Sequence, residues 1–448
     1  MTILEISAGD TAWVLVSAAL VLIMTPGLAF FYGGMVRSKS VLNMMMLSIG
    51  TMGVVGVAWV LYGFSFAFGD SIGGFLGNPG DFFGLSNIAG LEVGTIPGYV
   101  FVGFQSAFAI IAVALVSGAA ADRMKFGAWC LFALLWASLV YFPAAHWVFA
   151  FDDSVSAHGG FIANTIGAID FAGGTAIHIN AGAGALALAL VLGKRIGFGK
   201  VPMRPHNLTL VMLGAALLWF GWFGFNAGSA LAANETAGLA WVNTMVCPAA
   251  AMLAWLLTER IRDGHATSLG AASGIVAGLV GITPAAAAVT PVGAIIIGIL
   301  VGVGCSMAIS LKYKFGYDDS LDVVGVHLVG GLIGTLAIGF LGSPDLTGGI
   351  DTAGLFYGGG VAQLGRQAAG AAIVLVYSFV VSFIIAKVID KIMGMRVAPS
   401  QETSGIDLVE HAEVGYDLSK VQYSTYNKTL LIADPTKTSD DDSAKVTV

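Results

Sequence analysis

Residues 169–192 read IDFAGGTAIHINAGAGALALALVL. Apart from Asp170 at its head and His178 within it, the stretch carries no ionisable side chain, and it runs out against Gly193, Lys194 and Arg195. Wound as a helix at about 1.5 Å per residue, it is long enough to cross the ~30 Å hydrocarbon core of a bilayer. Its many Gly and Ala residues suit helices that pack closely in a membrane.

The rest of the chain has the same character. Its 448 residues are 57% hydrophobic and 10% charged, with a mean hydropathy of +0.86. A soluble domain carries about 25% charged residues, so a water-soluble globule is excluded. Fourteen charged residues fall in 394–448, leaving 33 to solvate the first 393. The net charge of −7 offers no basic domain for nucleic acid. Cys130, Cys247 and Cys305 lie in apolar runs at no metal-binding spacing and read as packing residues. No metal or other cofactor is implied. The first apolar run, from Ala12 past Phe31, has no Lys or Arg before it and reads as a retained first helix rather than a signal peptide.

Apolar spans are expected at about 12–34, 41–68, 98–120, 127–149, 169–192, 208–232, 236–258, 268–284, 291–311, 321–342 and 366–390, eleven in all, the eighth short and interrupted by proline. Cations test that count. Arg37 and Lys39 follow span one, Arg123 and Lys125 span three, Lys194, Arg195, Lys200 and Arg204 span five, Arg260 and Arg262 span seven, and Lys312 and Lys314 span nine. Apart from Arg366, the other loops hold none. Alternation of this kind places the N-terminus outside and the C-terminus in the cytoplasm. The outer loops, with Asp70, Asp81, Glu92, Asp152, Asp153, Asp345 and Asp351, are acidic or neutral. That either favours approaching cations or merely reflects exclusion of Lys and Arg.

Two similarities recur five spans apart. Gly27–Gly34 (GLAFFYGG) echoes Gly221–Gly228 (GWFGFNAG), and His178-Ile179-Asn180-Ala181-Gly182 echoes His327-Leu328-Val329-Gly330-Gly331. Because five is odd, the halves form an inverted five-helix repeat plus an eleventh helix, with a substrate path where they meet. Ionisable groups inside spans are functional candidates, and here they are Asp170, His178, Asp322, His327 and Arg366. Both histidines fall ~10–14 Å deep from opposite faces. Either they meet and relay a proton, or each is separately bonded to backbone carbonyls. Asp170 is a helix N-cap, a carboxylate near a cation, or both. Asp322 is expected to cap span ten. Its five-residue spacing to His327, against eight from Asp170 to His178, argues against strict equivalence of Asp170 and Asp322. Arg366 is expected to anchor span eleven at the outer interface. Phe101, Phe104, Phe108, Tyr141, Phe142, Trp147 and Phe149 crowd the outer half of spans three and four, as cation-binding rings or as an interfacial belt.

Four strings then carry a resemblance: Phe104–Phe108 (FQSAF), Asp170–Thr175 (DFAGGT) on to His178-Ile179-Asn180, Gly221–Ser229 (GWFGFNAGS), and Asp319–Asp322 (DSLD) on to Gly325-Val326-His327. In this order they resemble the ammonium transporters, the Amt/Mep/Rh family, and most closely its bacterial Amt members, over about residues 10–416. The resemblance implies an all-α membrane fold of eleven transmembrane helices with a pseudo-twofold, assembled as a homotrimer with one pore per subunit, in the cytoplasmic membrane. It implies that Ser229 and Phe108 recruit NH4+, with Asp170 stabilising that site. Phe104 and Phe225 form the stacked gate, and His178, His327 and Trp222 line the pore. Phe149 stands where many members have Trp, and a benzene ring holds a cation more weakly than an indole.

An ammonium-sized ion entering low dielectric costs on the order of 20 kcal/mol by the Born estimate, so such a pore passes NH3 after deprotonation and the proton moves separately. Net electrogenic uptake of ammonium is the expected activity, with an electroneutral NH3 gas channel or an ammonium sensor signalling through its tail as alternatives. An enzyme is not expected: no His-Glu-x-x-His pair and no Ser–base team is present. Residues 1–393 are read as the membrane domain and 394–448 as a cytoplasmic tail, disordered after about 420. Gly405–Glu413 (GIDLVEHAE) on to Tyr416 resembles the family's C-terminal segment, which implies a PII-type signal protein as a partner. His411 reads as a solvated surface histidine.

Overall fold

The computed structural model describes residues 5–153 and 155–416, so the expected disordered end lies outside the described residues. Apolar helices dominate it: α1 (Ala8–Met35), α2 (Val41–Phe68), α3 (Gly98–Ala120), α4 (Phe126–Phe149), α5 (Gly174–Leu192), α6 (Leu208–Ala230), α7 (Glu235–Asp263), α8 (Ser268–Ile282), α9 (Pro291–Phe315), α10 (Val324–Leu341) and α11 (Ala362–Met393). Among the described residues, ten are long and apolar enough to cross a membrane, and α8 is a shorter apolar helix of 15 residues. The chain is a multi-pass membrane protein. Helices α12 (Pro399–Ser404) and α13 (Ile406–His411) follow. Two short antiparallel hairpins, β1 (Ser71–Ile72) with β2 (Leu76–Gly77) and β3 (Glu92–Val93) with β4 (Ile96–Pro97), lie in the connection between α2 and α3.

The segments that echo each other in sequence pack on each other in space. Along α1 and α6, a Cβ at Gly27 would stand 3.0 Å from the Leu217 Cβ, and one at Gly224 would stand 2.6 Å from the Leu20 Cβ. Across α5 and α10, a Cβ at Gly182 would stand 2.6 Å from the Leu328 Cβ, and one at Gly331 would stand 3.2 Å from the His178 Cβ. Helix backbones therefore touch where side chains are missing, which is how membrane helices gain dispersion contact without a hydrophobic drive. Both histidines sit in widened π-helical turns, Gly174–Ile179 and Val324–Leu328, a distortion that recurs at functional sites.

The tail closes one face of the bundle. Neither Ser40 nor Lys125 caps the helix it precedes. Instead Asp407 accepts the N–H groups of Leu42 (3.1 Å) and Asn43 (2.8 Å), and Glu410 accepts that of Phe126 (2.9 Å). Glu402 accepts the Ile196 N–H and pairs with Arg396 at 2.6 Å. Carboxylates from the tail thus supply the first turns of α2 and α4 with acceptors their own sequence lacks. His411 is not the solvated residue its sequence position implies. It is half-buried, bonded to the Asn43 Oδ1 at 3.0 Å and set edge-on against Phe126. A buried charge cluster lies beneath the tail. Arg195 pairs with Asp318 (2.9 Å) and Asp122 (3.3 Å), and Arg123 hydrogen-bonds Ser320 and the Asp318 carbonyl. The hairpins and the 150–167 connection occupy the opposite, far face.

Candidate functional site

A column of nearly parallel rings runs through the bundle. Phe108 of α3 stacks on Phe225 of α6, with centroids 4.2 Å apart and planes 23° apart. Phe225 faces His178 at 6.2 Å and 24°, and His178 faces His327 at 5.3 Å and 27°. Trp222 stacks on His178 at 5.5 Å, fixed by its Nε1–H, which donates to the Thr283 Oγ1 at 2.9 Å. The two imidazoles meet Nδ1 to Nδ1 at 3.2 Å. One Nδ1 must donate and the other accept, so the pair shares a proton position. His178 is 1% and His327 3% exposed. The Nε2 of His178 has no partner among the protein's own groups, which leaves an unsatisfied ring nitrogen along the column.

The ring stacked on Phe225 is Phe108. The expected gate of Phe104 with Phe225 is corrected accordingly: Phe104 stands one helical turn away, tilted 58° against Phe108 at 4.7 Å. Both rings share a face of α3, and which one meets α6 depends on axial register, which no motif displays. On the far face, Phe104, Phe108, Phe149 and Ser229 line a cavity of about 90 Å³ together with Phe101 and Phe171. Ser229 donates its hydroxyl to the Phe225 carbonyl at 2.8 Å. Trp147 turns away from this cavity, its Nε1–H on the Phe75 carbonyl at 2.7 Å. A second cavity of about 20 Å³, room for one water-sized molecule, is lined by His178, His327, Trp222, Phe31 and Asp322.

Asp170 stands at the head of α5 beside the far cavity. Its neighbours Phe171 and Ala172 line the far cavity, but its own oxygens are taken by four N–H groups. Oδ1 accepts from Gly173 (2.9 Å) and Gly174 (2.7 Å), and Oδ2 from Thr175 (2.8 Å) and Ala176 (3.1 Å). The geometry realises the capping role. This cap also delays the start of α5 to Gly174, because Gly173 takes φ +120° ahead of it.

The cap of α10 is Asp319, not Asp322. Asp319 accepts from Val323 (3.1 Å) and Val324 (2.7 Å). Asp322 adopts a left-handed backbone, φ +62°, that excludes it from the helix, and its carboxylate pairs with Lys312 at 2.6 Å. Asp319 precedes His327 by eight residues, the spacing of Asp170 and His178, so the pair that matches in spacing is Asp170 with Asp319. Burial first, then the neighbouring Asp322 carboxylate, pushes Asp319 up to about 6.

Gln363 and Gln367, both fully buried on α11, carry no charge that would single them out in the sequence. Gln367 accepts the Ile169 N–H at 2.6 Å and donates to the carbonyls of Ile169 (2.7 Å) and Thr335 (3.1 Å). Gln363 donates to Gln367 at 2.9 Å and to the Gly167 carbonyl at 3.3 Å. These amides serve the non-helical backbone ahead of α5, which a membrane interior cannot leave unpaired. Their signal in the sequence is two amides one turn apart at the head of an apolar span. Arg366, between them, donates to the Asp351 carbonyl and to Gln363.

The comparisons with known proteins fall in line with this geometry. A family model described as Ammonium Transporter Family matches residues 12–416. An ammonium transporter of Mycobacterium tuberculosis is 60% identical over 433 residues, covering 92% of this chain and 91% of that one. Two solved structures superpose closely. The one titled Sensor Amt Protein has a TM-score of 0.83 at 29% identity over 90% of this chain and 98% of its own. Saccharomyces cerevisiae Mep2 has a TM-score of 0.80 at 33% identity over 88% of each. The matching family and the Mycobacterium tuberculosis relative are named as transporters, not as enzymes. The chain belongs to the ammonium transporter family.

Proposed function

We propose that this chain carries ammonium inward across the cytoplasmic membrane, taking NH4+ from the far face, passing NH3 along the ring column and moving the proton separately. The observation that supports it best is the buried Nδ1–Nδ1 contact of His178 and His327 at 3.2 Å. Two imidazoles bonded through Nδ1 can offer hydrogen bonds to NH3, which arrives with no net charge. They cannot offset the ~20 kcal/mol Born cost of a bare ammonium ion. The cation is therefore held at the cavity of Phe104, Phe149 and Ser229 and gives its proton to water there; the neutral molecule passes Phe108 and Phe225, and the proton crosses separately by a relay of water and polar groups. K+ has no proton to lose and is rejected on chemistry rather than size. The reading includes eleven spans with α8 as the shortest, an outer N-terminus, a cytoplasmic C-terminus, an inverted repeat and a homotrimer. The membrane domain ends at about residue 393, and the tail from 394 is a docking element for a PII-type protein.

Charge movement in proteoliposomes tests this. An ammonium pulse should give a saturable current and a potassium pulse none, with His178→Ala and His327→Ala altering current or selectivity. Internal alkalinisation without current would establish an electroneutral channel instead. Silence in both from folded protein would favour ammonium sensing, a reading motivated by the likeness to the structure titled Sensor Amt Protein.

A further inference from the structure

The far-face cavity holds one carboxylate among its rings. Asp153 lines it alongside Phe149, Phe151, Phe104 and Ser229. The connection that brings Asp153 there is pinned from two sides. The Ala150 carbonyl accepts the Gly160 N–H (2.8 Å) and the Asn164 Nδ2–H (2.9 Å). Ser156, 1% exposed, donates its hydroxyl to the Phe68 carbonyl at 2.7 Å. Within the turn, the Asp153 N–H donates to the Ser156 carbonyl at 2.9 Å, and the Asp153 Oδ1 accepts from the N–H groups of Val155 (2.7 Å) and Ser156 (3.3 Å). One oxygen is thus spent on the turn. Among the described residues, no hydrogen bond engages Oδ2 and no Lys, Arg or His pairs with the carboxylate.

A turn needs only the acceptor. Nothing in it calls for a full negative charge at the mouth of an aromatic cavity. Phe rings attract a cation only at contact and more weakly than an indole does. A carboxylate acts over a longer range, as the inverse of distance, and raises the local concentration of cations in a low-dielectric cleft. We propose that Asp153 is a binding residue for the substrate cation, supplying by charge at the mouth what Phe149 supplies weakly by its ring. This rests on the transport reading above, and it gives the cavity an anionic element besides its rings and the Ser229 hydroxyl.

Asp153→Asn isolates the charge, because the amide oxygen still accepts the Val155 and Ser156 N–H groups. The half-saturating ammonium concentration of the current should rise about three- to tenfold at low ionic strength, with the maximal current retained. The difference should shrink as sodium chloride is raised from about 0.02 M to about 0.5 M, where the screening length falls to a few ångströms. A purely structural role would not respond to salt in this way. Phe149→Trp in the Asp153→Asn background should recover part of the lost affinity. An unchanged half-saturation at low salt, or a rise indifferent to salt, overturns the proposal. If the unsubstituted protein passes no current, the transport reading alone fails. Equilibrium binding of ammonium to the two detergent-solubilised proteins then decides, and equal affinities overturn the role of Asp153.

Discussion

Asp319 stands to His327 as Asp170 stands to His178: eight residues ahead, with its carboxylate on the first N–H groups of the helix that carries the histidine. The spacing has a physical reason. A carboxylate at a helix head takes the N–H groups that have no intrahelical partner, and about one further turn brings the chain to the next side chain on the same side. Each histidine is thereby tied to a fixed helix start, and Gly182 and Gly331, four residues beyond each, bring α5 and α10 to contact. The shared Nδ1 contact follows from two copies of one local device.

The two capping carboxylates differ in their charge surroundings, and this sets a pH response. Asp319 has its pKa raised from the ordinary 3.8 to about 6 by burial and by Asp322. A carboxyl whose folded pKa is raised favours the folded state when protonated, so its contribution is present below about 4 and lost as pH rises through about 6. The stability of the solubilised protein should therefore rise on going from about pH 7 to about pH 5, by at most ~1.4 kcal/mol per pH unit for one proton, and its thermal midpoint should rise with it. Asp319→Asn should flatten that slope. Parallel pH profiles for the two proteins would show that another group carries the effect.

What can be read from the chain depends on how local the cause is. The apolar runs are legible because bilayer thickness dictates their length, and the expected 41–68 and 98–120 coincide with α2 and α3. The meeting of His178 and His327 is legible because each is followed by small residues, which mark a close crossing in advance. Features set by register are not. Whether Phe104 or Phe108 reaches Phe225 depends on how far α3 slides along α6. That Asp319 and not Asp322 caps α10 depends on a left-handed turn at Asp322. Acceptors supplied from far along the chain are hidden for the same reason. Asp407 at the head of α2 and Gln367 beside Ile169 serve backbone more than 190 residues away in sequence.

The glycine contact at the histidines sets a steric limit. A Cβ at Gly331 would lie 3.1 Å from the Gly174 carbonyl oxygen and 3.2 Å from the His178 Cβ, tighter than ordinary van der Waals contact. Gly331→Val adds two further methyls at a point where the Gly174 backbone and His178 leave no slack. It should cost about 1–3 kcal/mol of stability and reduce ammonium current per folded protein at least about tenfold, a loss of the size expected when a reacting group is misplaced by about an ångström. Gly331→Ala should fall between. Current from the valine variant equal to that of the unsubstituted protein would mean that the α5–α10 distance does not set the rate.

Gln367 should show its role through the donor it supplies. Gln367→Leu keeps the volume but strips partners from the Ile169 N–H and from the Ile169 and Thr335 carbonyls. Each buried group left unpaired costs about 1–3 kcal/mol, so the midpoint should drop and the current fall as the Asp170 turn loosens. Gln367→Glu separates clamp from filler. Ionised, it accepts from the Ile169 N–H but donates to neither carbonyl, and its charge faces both. Protonated, it regains one donor. Its stability and current, relative to the unsubstituted protein, should therefore recover as pH falls, while those of the leucine variant stay low at every pH. A Gln367→Glu protein with the same pH profile as Gln367→Leu would reduce the residue to packing, because only a hydrogen-bonding clamp can be restored by a proton.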